Sequence, residues 1–129
     1  MKILEKYSAE TYSLLRIVSG FMLSFHGAQK LLGLFADPSH PIPVGSQIWV
    51  GGIIELAGGL LILVGFQTRW AAFFASGMMA VAYFQFHWKF QFDSNFFPIV
   101  NHGELAVLYC FVFFFIASKG GGKWSVDKT

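Results

Sequence analysis

Between residues 48 and 66 the chain carries one ionisable side chain, Glu55. A stretch of that length and apolarity is what a helix needs to cross bilayer hydrocarbon, about 20 residues. Three further stretches meet or approach the same standard. Residues 12–35 hold Arg16, His26 and Lys30; residues 70–88 are free of formal charge apart from His87; residues 103–118 begin with Glu104. Four such segments in 129 residues leave room for little else. The expected architecture is one all-α membrane domain over residues 1–129, an up-down bundle of four transmembrane helices at 12–35, 48–66, 70–88 and 103–118.

The connections agree with that division. Residues 36–47 contain Asp37, Pro38, Pro41, Pro43 and Gly45, all of them breakers. Only Gln67, Thr68 and Arg69 join the second and third segments, which forces a tight antiparallel hairpin. Residues 89–102 contain Asp93, Asn95, Pro98 and Asn101. A signal peptide is the competing reading of the N-terminal segment. Arg16 interrupts its apolar core and no small-x-small cleavage site follows, so the segment is expected to be retained.

Composition excludes the other classes. Charged residues make up 12% of the chain, against about 25% in soluble domains. A body this small has too much surface per volume to bury its sixteen Phe. Disordered chains are poor in aromatics. A net charge of +2 with no basic patch gives nucleic acid nothing to bind. The lone cysteine, Cys110, excludes an internal disulfide or a CxxC redox pair.

Lys and Arg set the expected orientation. With four spans, one side of the membrane holds Lys2, Lys6, Arg69, Lys119, Lys123 and Lys128, and the other holds Lys30 and Lys89. Both termini are therefore expected in the cytoplasm of a bacterial cell, the protein lying in its plasma (inner) membrane. Phe84, Phe86, Trp88, Phe90 and Phe92 alternate with Gln85, His87, Lys89, Gln91 and Asp93. Period two predicts an extended strand. It reads either as an aromatic belt or as a lip guiding a lipid-soluble ligand.

A charge at mid-bilayer costs about 2.5–3.5 kcal/mol on insertion scales, so the polar residues within the segments are informative. With this topology, His26, Gln29, Lys30, Glu55, His87 and Glu104 all fall in the outer half of the bundle, and Arg16 alone in the inner half. His26 and Lys30 are four apart and share a helix face. Glu55 lies among Gly51, Gly52, Gly58 and Gly59, a face open to close helix approach. Gly77, Ala80, Phe84 and His87 are expected to share the inward face of the third helix. The glycine heptads read as packing, within the chain or between copies in a homo-oligomer. The polar cluster has two readings, an internal network that fixes the bundle or a site. For Glu104 an acid in the first turn also offsets the helix dipole.

These residues also carry a family likeness. The run from His26 to Leu31, the stretch from Gly51 to Leu61, the turn Gln67-Thr68-Arg69, the start Asn101-His102-Gly103-Glu104 and the tail Gly122-Lys123-Trp124-Ser125-Val126-Asp127 together resemble the DoxX family. The resemblance implies a small four-helix membrane protein, similar to the DoxD subunit of thiosulfate:quinone oxidoreductase. It also implies redox partner proteins, since DoxX-type proteins associate in some bacteria with a superoxide dismutase and a sulfurtransferase. The family's polar signature maps onto His26, Gln29, Lys30, Glu55 and Glu104. A sulfur relay through the chain's own thiols does not fit its single cysteine.

The leading expectation is a quinone-linked oxidoreductase subunit in thiol or oxidative-stress or sulfur metabolism, with a polar pocket in the outer half. Its catalytic groups would be Glu55, His26, Lys30 and Glu104. His26 would donate to a quinone oxygen, Lys30 would hold developing charge, and Glu55 or Glu104 would relay protons. Gln29, His87, Phe84, Trp88 and Asn101 would line the ligand, with Phe84, Phe86 and Trp88 stacking on its ring. The alternative is a non-enzymatic scaffold that recruits redox proteins through its glycine faces and its tail at residues 120–125. A haem between His26 and His87 is a weaker reading, and no protein metal site is expected.

Overall fold

The computed structural model describes residues 1–128. They form α1 (Lys2–Glu5), α2 (Ser8–Leu32), α3 (Gln47–Val64), α4 (Thr68–Ala82), a π-helical turn (Tyr83–Trp88), a 3₁₀ turn (Ser94–Phe96), α5 (Pro98–Asn101) and α6 (Glu104–Lys119). No strand occurs among the described residues. The four long helices lie within a few residues of the segments expected from hydropathy. Among the described residues α3 is the one helix both long and apolar enough by itself to cross a membrane.

The local signals are ordinary. Ser46 caps α3, its hydroxyl accepting from the Trp49 amide at 3.2 Å, and Gly65 ends it in the left-handed region at φ 72°. That is the position where glycine costs least. Asp127, from the tail, takes the corresponding place at the start of α4. Its two carboxylate oxygens accept from the Gln67 and Thr68 amides, each at 2.8 Å. Partial burial raises this carboxyl, but the bonds from Thr68 and Gln67 and the charge of Arg16 outweigh it, leaving Asp127 below the usual carboxylate range.

Beside a core of Leu23, Ile62, Met79, Phe113 and Ile116, much of the burial on α2 and α4 runs opposite to a water-soluble bundle. The inward face of α2 carries Ser13, Ser19, Gly20, Ser24, Gly27 and Ala28, while Leu14, Leu15, Val18, Phe21, Met22 and Phe25 point out. On α4, Ala71, Ala72, Ala75 and Ser76 face in and Trp70, Phe73 and Phe74 face out. Small residues inside and bulky apolar residues outside suit helices that pack by close contact in lipid.

Backbone proximity is greatest between α2 and α3. A Cβ on Gly20 would lie 2.5 Å from the Leu63 amide nitrogen, and one on Gly59 2.5 Å from that of Ser24; Gly27 meets the Leu56 amide in the same way. Moving up α2 from Gly20 to Gly27 moves down α3 from Leu63 to Leu56, so the pair is antiparallel. Gly51 against Met78 and Gly58 against Ala71 show the same relation between α3 and α4. Ser76 on the Cys110 carbonyl and Arg69 on those of Ala117, Ser118 and Lys119 show it between α4 and α6. The two glycine heptads thus divide: Gly52 and Gly59 seat α2, whereas Gly51 and Gly58 face α4 with space to spare. α2 and α6 meet only briefly.

Two sequence expectations are corrected here. Residues 84–88 are not extended but belong to the π-helical turn, which Lys89 and Phe90 end with positive φ of 56° and 55°. A lone strand at membrane depth would leave its amides unpaired. The wide turn keeps them bonded, as in Lys89 N to Phe84 O at 3.0 Å. Nor do Gly77, Ala80, Phe84 and His87 share an inward face. Gly77 looks into open space and Phe84 is exposed. The π turn rotates the helix after Ala82, and this rotation carries His87 inward without Gly77.

Replacing Gly59 with Leu should lower thermal stability in detergent by about 1–3 kcal/mol or more, because the new side chain meets backbone that cannot yield. Gly77→Leu, with nothing within contact of its Cβ, should melt like the wild type within about 0.5 kcal/mol. Equal melting of the two variants would dismiss this packing.

Candidate functional site

The buried ion pair is the centre of the site. Lys30 Nζ, from α2, donates to Glu55 Oε1, from α3, at 2.6 Å. Two features of the sequence bring them together. Gly27 and Gly52 let the helices close just beside the pair, and a Cβ on Gly52 would sit 3.0 Å from the Lys30 Cβ. Glu55 is 3% exposed, and its second oxygen, Oε2, is buried with no hydrogen-bond partner.

A cavity of about 260 Å³ lies against this pair. All the long helices contribute to it: His26 and Lys30 from α2, Glu55 from α3, Met79 and Ala82 from α4, Leu105, Ala106 and Tyr109 from α6. His87 and His102 complete the wall. Tyr109 is buried and its hydroxyl, like Glu55 Oε2, has no partner. Its ring meets that of His26 edge-on, with centroids 6.5 Å apart. A second cavity of about 280 Å³, between α3 and α4, shares Lys30, Glu55, Ala82 and His87 with the first. Both are near the small end of ligand pockets, about 300–1,000 Å³.

His87 is held from behind. Its Nδ1 lies 3.1 Å from the Asn101 carbonyl. A carbonyl only accepts, so Nδ1 carries a proton and Nε2 is the nitrogen left free. Buried Asn101 donates to Asn95 O at 2.8 Å and Tyr83 Oη at 3.3 Å and accepts from the Gly103 amide at 2.8 Å.

The expected polar layer therefore gathers only in part. His26, Lys30, Glu55 and His87 share one cavity wall. Gln29 turns away and donates to the Phe35 carbonyl at 3.1 Å. Glu104 is exposed in the first turn of α6 and lines neither cavity, a placement that suits the helix dipole. Asn101 braces His87 and lines neither cavity. Phe84 and Trp88 stack outside with Tyr83, Phe90, Phe92 and Phe96; of the aromatics on this turn, Phe86 is the one that joins a cavity wall. The sequence reading missed Tyr109. His102, Leu105, Ala106 and Tyr109 recur at helical spacing, which was its available signal. Among the described residues no three His, Cys, Asp or Glu side chains come together to hold a metal ion.

At the other end, Arg16 is fully buried and spends its guanidinium on carbonyls. It donates to Ile62 at 2.6 Å, Leu63 at 2.7 Å, Gly121 at 2.7 Å, Trp124 at 2.7 Å and Lys123 at 3.2 Å. The tail is thereby folded against the helices instead of standing free for a partner.

A helical chain that turns small residues inward, bulky apolar ones outward and keeps an ion pair inside is built for lipid surroundings. The DoxX family profile matches residues 11–88, and the chain belongs to the DoxX family of membrane proteins. It is 37% identical to an uncharacterized protein of Haemophilus influenzae, over 99% of this chain and 96% of that one. It is 27% identical to the inner membrane protein YqjF of Escherichia coli, over 84% of this chain and 76% of that one. No solved structure matches it.

The ion pair is unequal, since the side chain of Lys30 is 29% exposed and that of Glu55 4%. Lys30→Met should strand the deeper charge and cost the larger part of the about 3–5 kcal/mol typical of a broken buried pair. Glu55→Gln should cost less, because the lysine stem can lift its head toward water. The double variant should recover most of the loss in thermal unfolding. The reverse order of the single variants would show that Lys30, not Glu55, is the dependent partner.

Proposed function

We propose that the chain crosses the bacterial inner membrane four times with both termini in the cytoplasm, and that its outer-half cavity binds a quinone. It would serve there as a subunit of an oxidoreductase acting in thiol or oxidative-stress or sulfur metabolism. The observation that carries this reading is a pair of buried groups without partners, Glu55 Oε2 and the Tyr109 hydroxyl, on two residues that line one cavity. A buried polar atom left unpaired is costly. In its quinol form an oxygen-bearing ring satisfies both groups, accepting from the tyrosine at one oxygen and donating to the carboxylate from the other.

Reduction of a quinone to the quinol takes up two electrons and two protons. The electrons come from a redox partner protein, since the chain has no flavin or nicotinamide motif. The protons fall to this chain. Glu55, the carboxylate of the ion pair, relays a proton to one ring oxygen, and Lys30 at 2.6 Å stabilises the carboxylate before and after the transfer. His87, on the same wall, supplies that proton, and His26 gives the second to the other ring oxygen. The name of the Escherichia coli relative supports the inner membrane, and the six Lys and Arg on the side of the termini support the orientation.

Purified protein in detergent should quench its tryptophan fluorescence on titration with decyl-ubiquinone. Tyr109→Phe should weaken binding about threefold to tenfold, the worth of one hydrogen bond, while melting normally. Binding that both Tyr109→Phe and Glu55→Gln leave intact would return the cluster to a structural role, and no binding at all would favour the scaffold. For the topology, cysteine at Ser39 or Ser94 should react with an impermeant maleimide in intact cells, and cysteine at exposed Gln67 should not. The opposite labelling would invert the protein.

A further inference from the structure

The second cavity gives the site a side door. It shares Lys30, Glu55, Ala82 and His87 with the first, so the two chambers adjoin at the ion pair. Beyond that common wall it is lined by Gln47, Ile48 and Gly51 of α3, by Met78 and Val81 of α4, and by Phe86. Ile48, Val81 and Phe86 are exposed, so its mouth opens on the outer surface of the helices and its rim is apolar.

Three observations give the mouth a direction. Gln47 donates to Gln85, tying the first residue of α3 to the π turn and bridging the groove at its outer, aqueous end. At Gly51 the helices stand apart: a Cβ there would meet only Met78 Sδ, at 3.7 Å, while Gly52, one residue on, is pressed against α2. The exposed lining of the other chamber mixes two imidazoles, His26 and His102, with Leu105. An apolar chain is better accommodated on the α3–α4 side.

We infer that the ligand is an amphiphile with a long hydrocarbon tail, which enters sideways from the bilayer between α3 and α4. Its polar ring rests at Glu55 and Tyr109, and its tail leaves over Gly51 past Met78, Val81 and Phe86. This deepens the reading of the site given above and rests on it. Gly51 is the threshold, since any side chain there fills the passage. The π turn is the frame, because it supplies His87 to the inner chamber and Phe86 to the door.

The test compares two probes, decyl-ubiquinone and the same dimethoxy-methyl-benzoquinone ring without a tail, titrated against the purified full chain. The wild type should prefer the tailed ring. Gly51→Leu should cut that preference about tenfold or more, because the buried methylenes of the tail lose their place. Gly77→Leu, on the outer face of α4, should keep it. A preference retained in Gly51→Leu would overturn the side door while leaving the site intact. If neither ring binds the wild type, the inference falls together with the reading beneath it. A tailed quinone carrying a diazirine at its tip gives a measurement independent of any variant. Its photoproduct should map to α3 or α4 near Ile48, Met78 and Val81, and labelling of α2 around Phe21 and Phe25 would overturn the proposed path.

Discussion

The near-contact of the α2 and α3 backbones governs the rest of the structure. In lipid, helices gain nothing from hiding apolar side chains from one another, so they must gain by touching closely. Gly20, Gly27, Gly52 and Gly59 permit that contact along the length of the pair. Its consequence is chemical as well as mechanical. With a larger residue at Gly27 or Gly52, Lys30 would be carried away from Glu55, and the carboxylate would face the apolar interior alone.

The cavity follows from unequal packing. Three helix pairs, α2–α3, α3–α4 and α4–α6, are joined along their lengths, whereas α2 and α6 meet only briefly. What closes the ring on that side is aromatic contact, His26 on Tyr109 and Tyr12 on Phe115. A tighter α2–α6 seam would have filled the space beside Glu55 with side chains. The glycines of the second heptad work in the same sense, since Gly51 leaves a gap where Gly52 closes one.

Much of this was legible in the sequence because hydropathy and helical spacing are local properties. The helices fall near their expected positions, and Lys30 and Glu55, expected in one polar cluster, meet beside the glycine face. The failures have a common cause. The alternation in residues 84–93 was read as a strand, but aromatic side chains can alternate with polar ones on a wide helical turn, and no two-residue period reveals where a chain adds a residue to its turn. That addition changed the facing of His87 and separated it from Gly77. Tyr109 was missed because a hydroxyl in an apolar run looks like belt or core until its lack of a partner is seen. Gln29 and Glu104, expected at the site, face away from the cavity, and Asn101 lies behind His87.

Arg16 belongs to α2, yet three of its five carbonyl partners, at Gly121, Lys123 and Trp124, lie after α6, more than 100 residues later. The guanidinium is therefore made well before much of its coordination shell exists. Until the segment after α6 follows, part of it has only water to bond. The packing around Arg16 is thus tied to a segment far away in sequence. A chain cut short after α6 would keep every long helix and still lack three of the five oxygens that neutralise its most deeply buried cation.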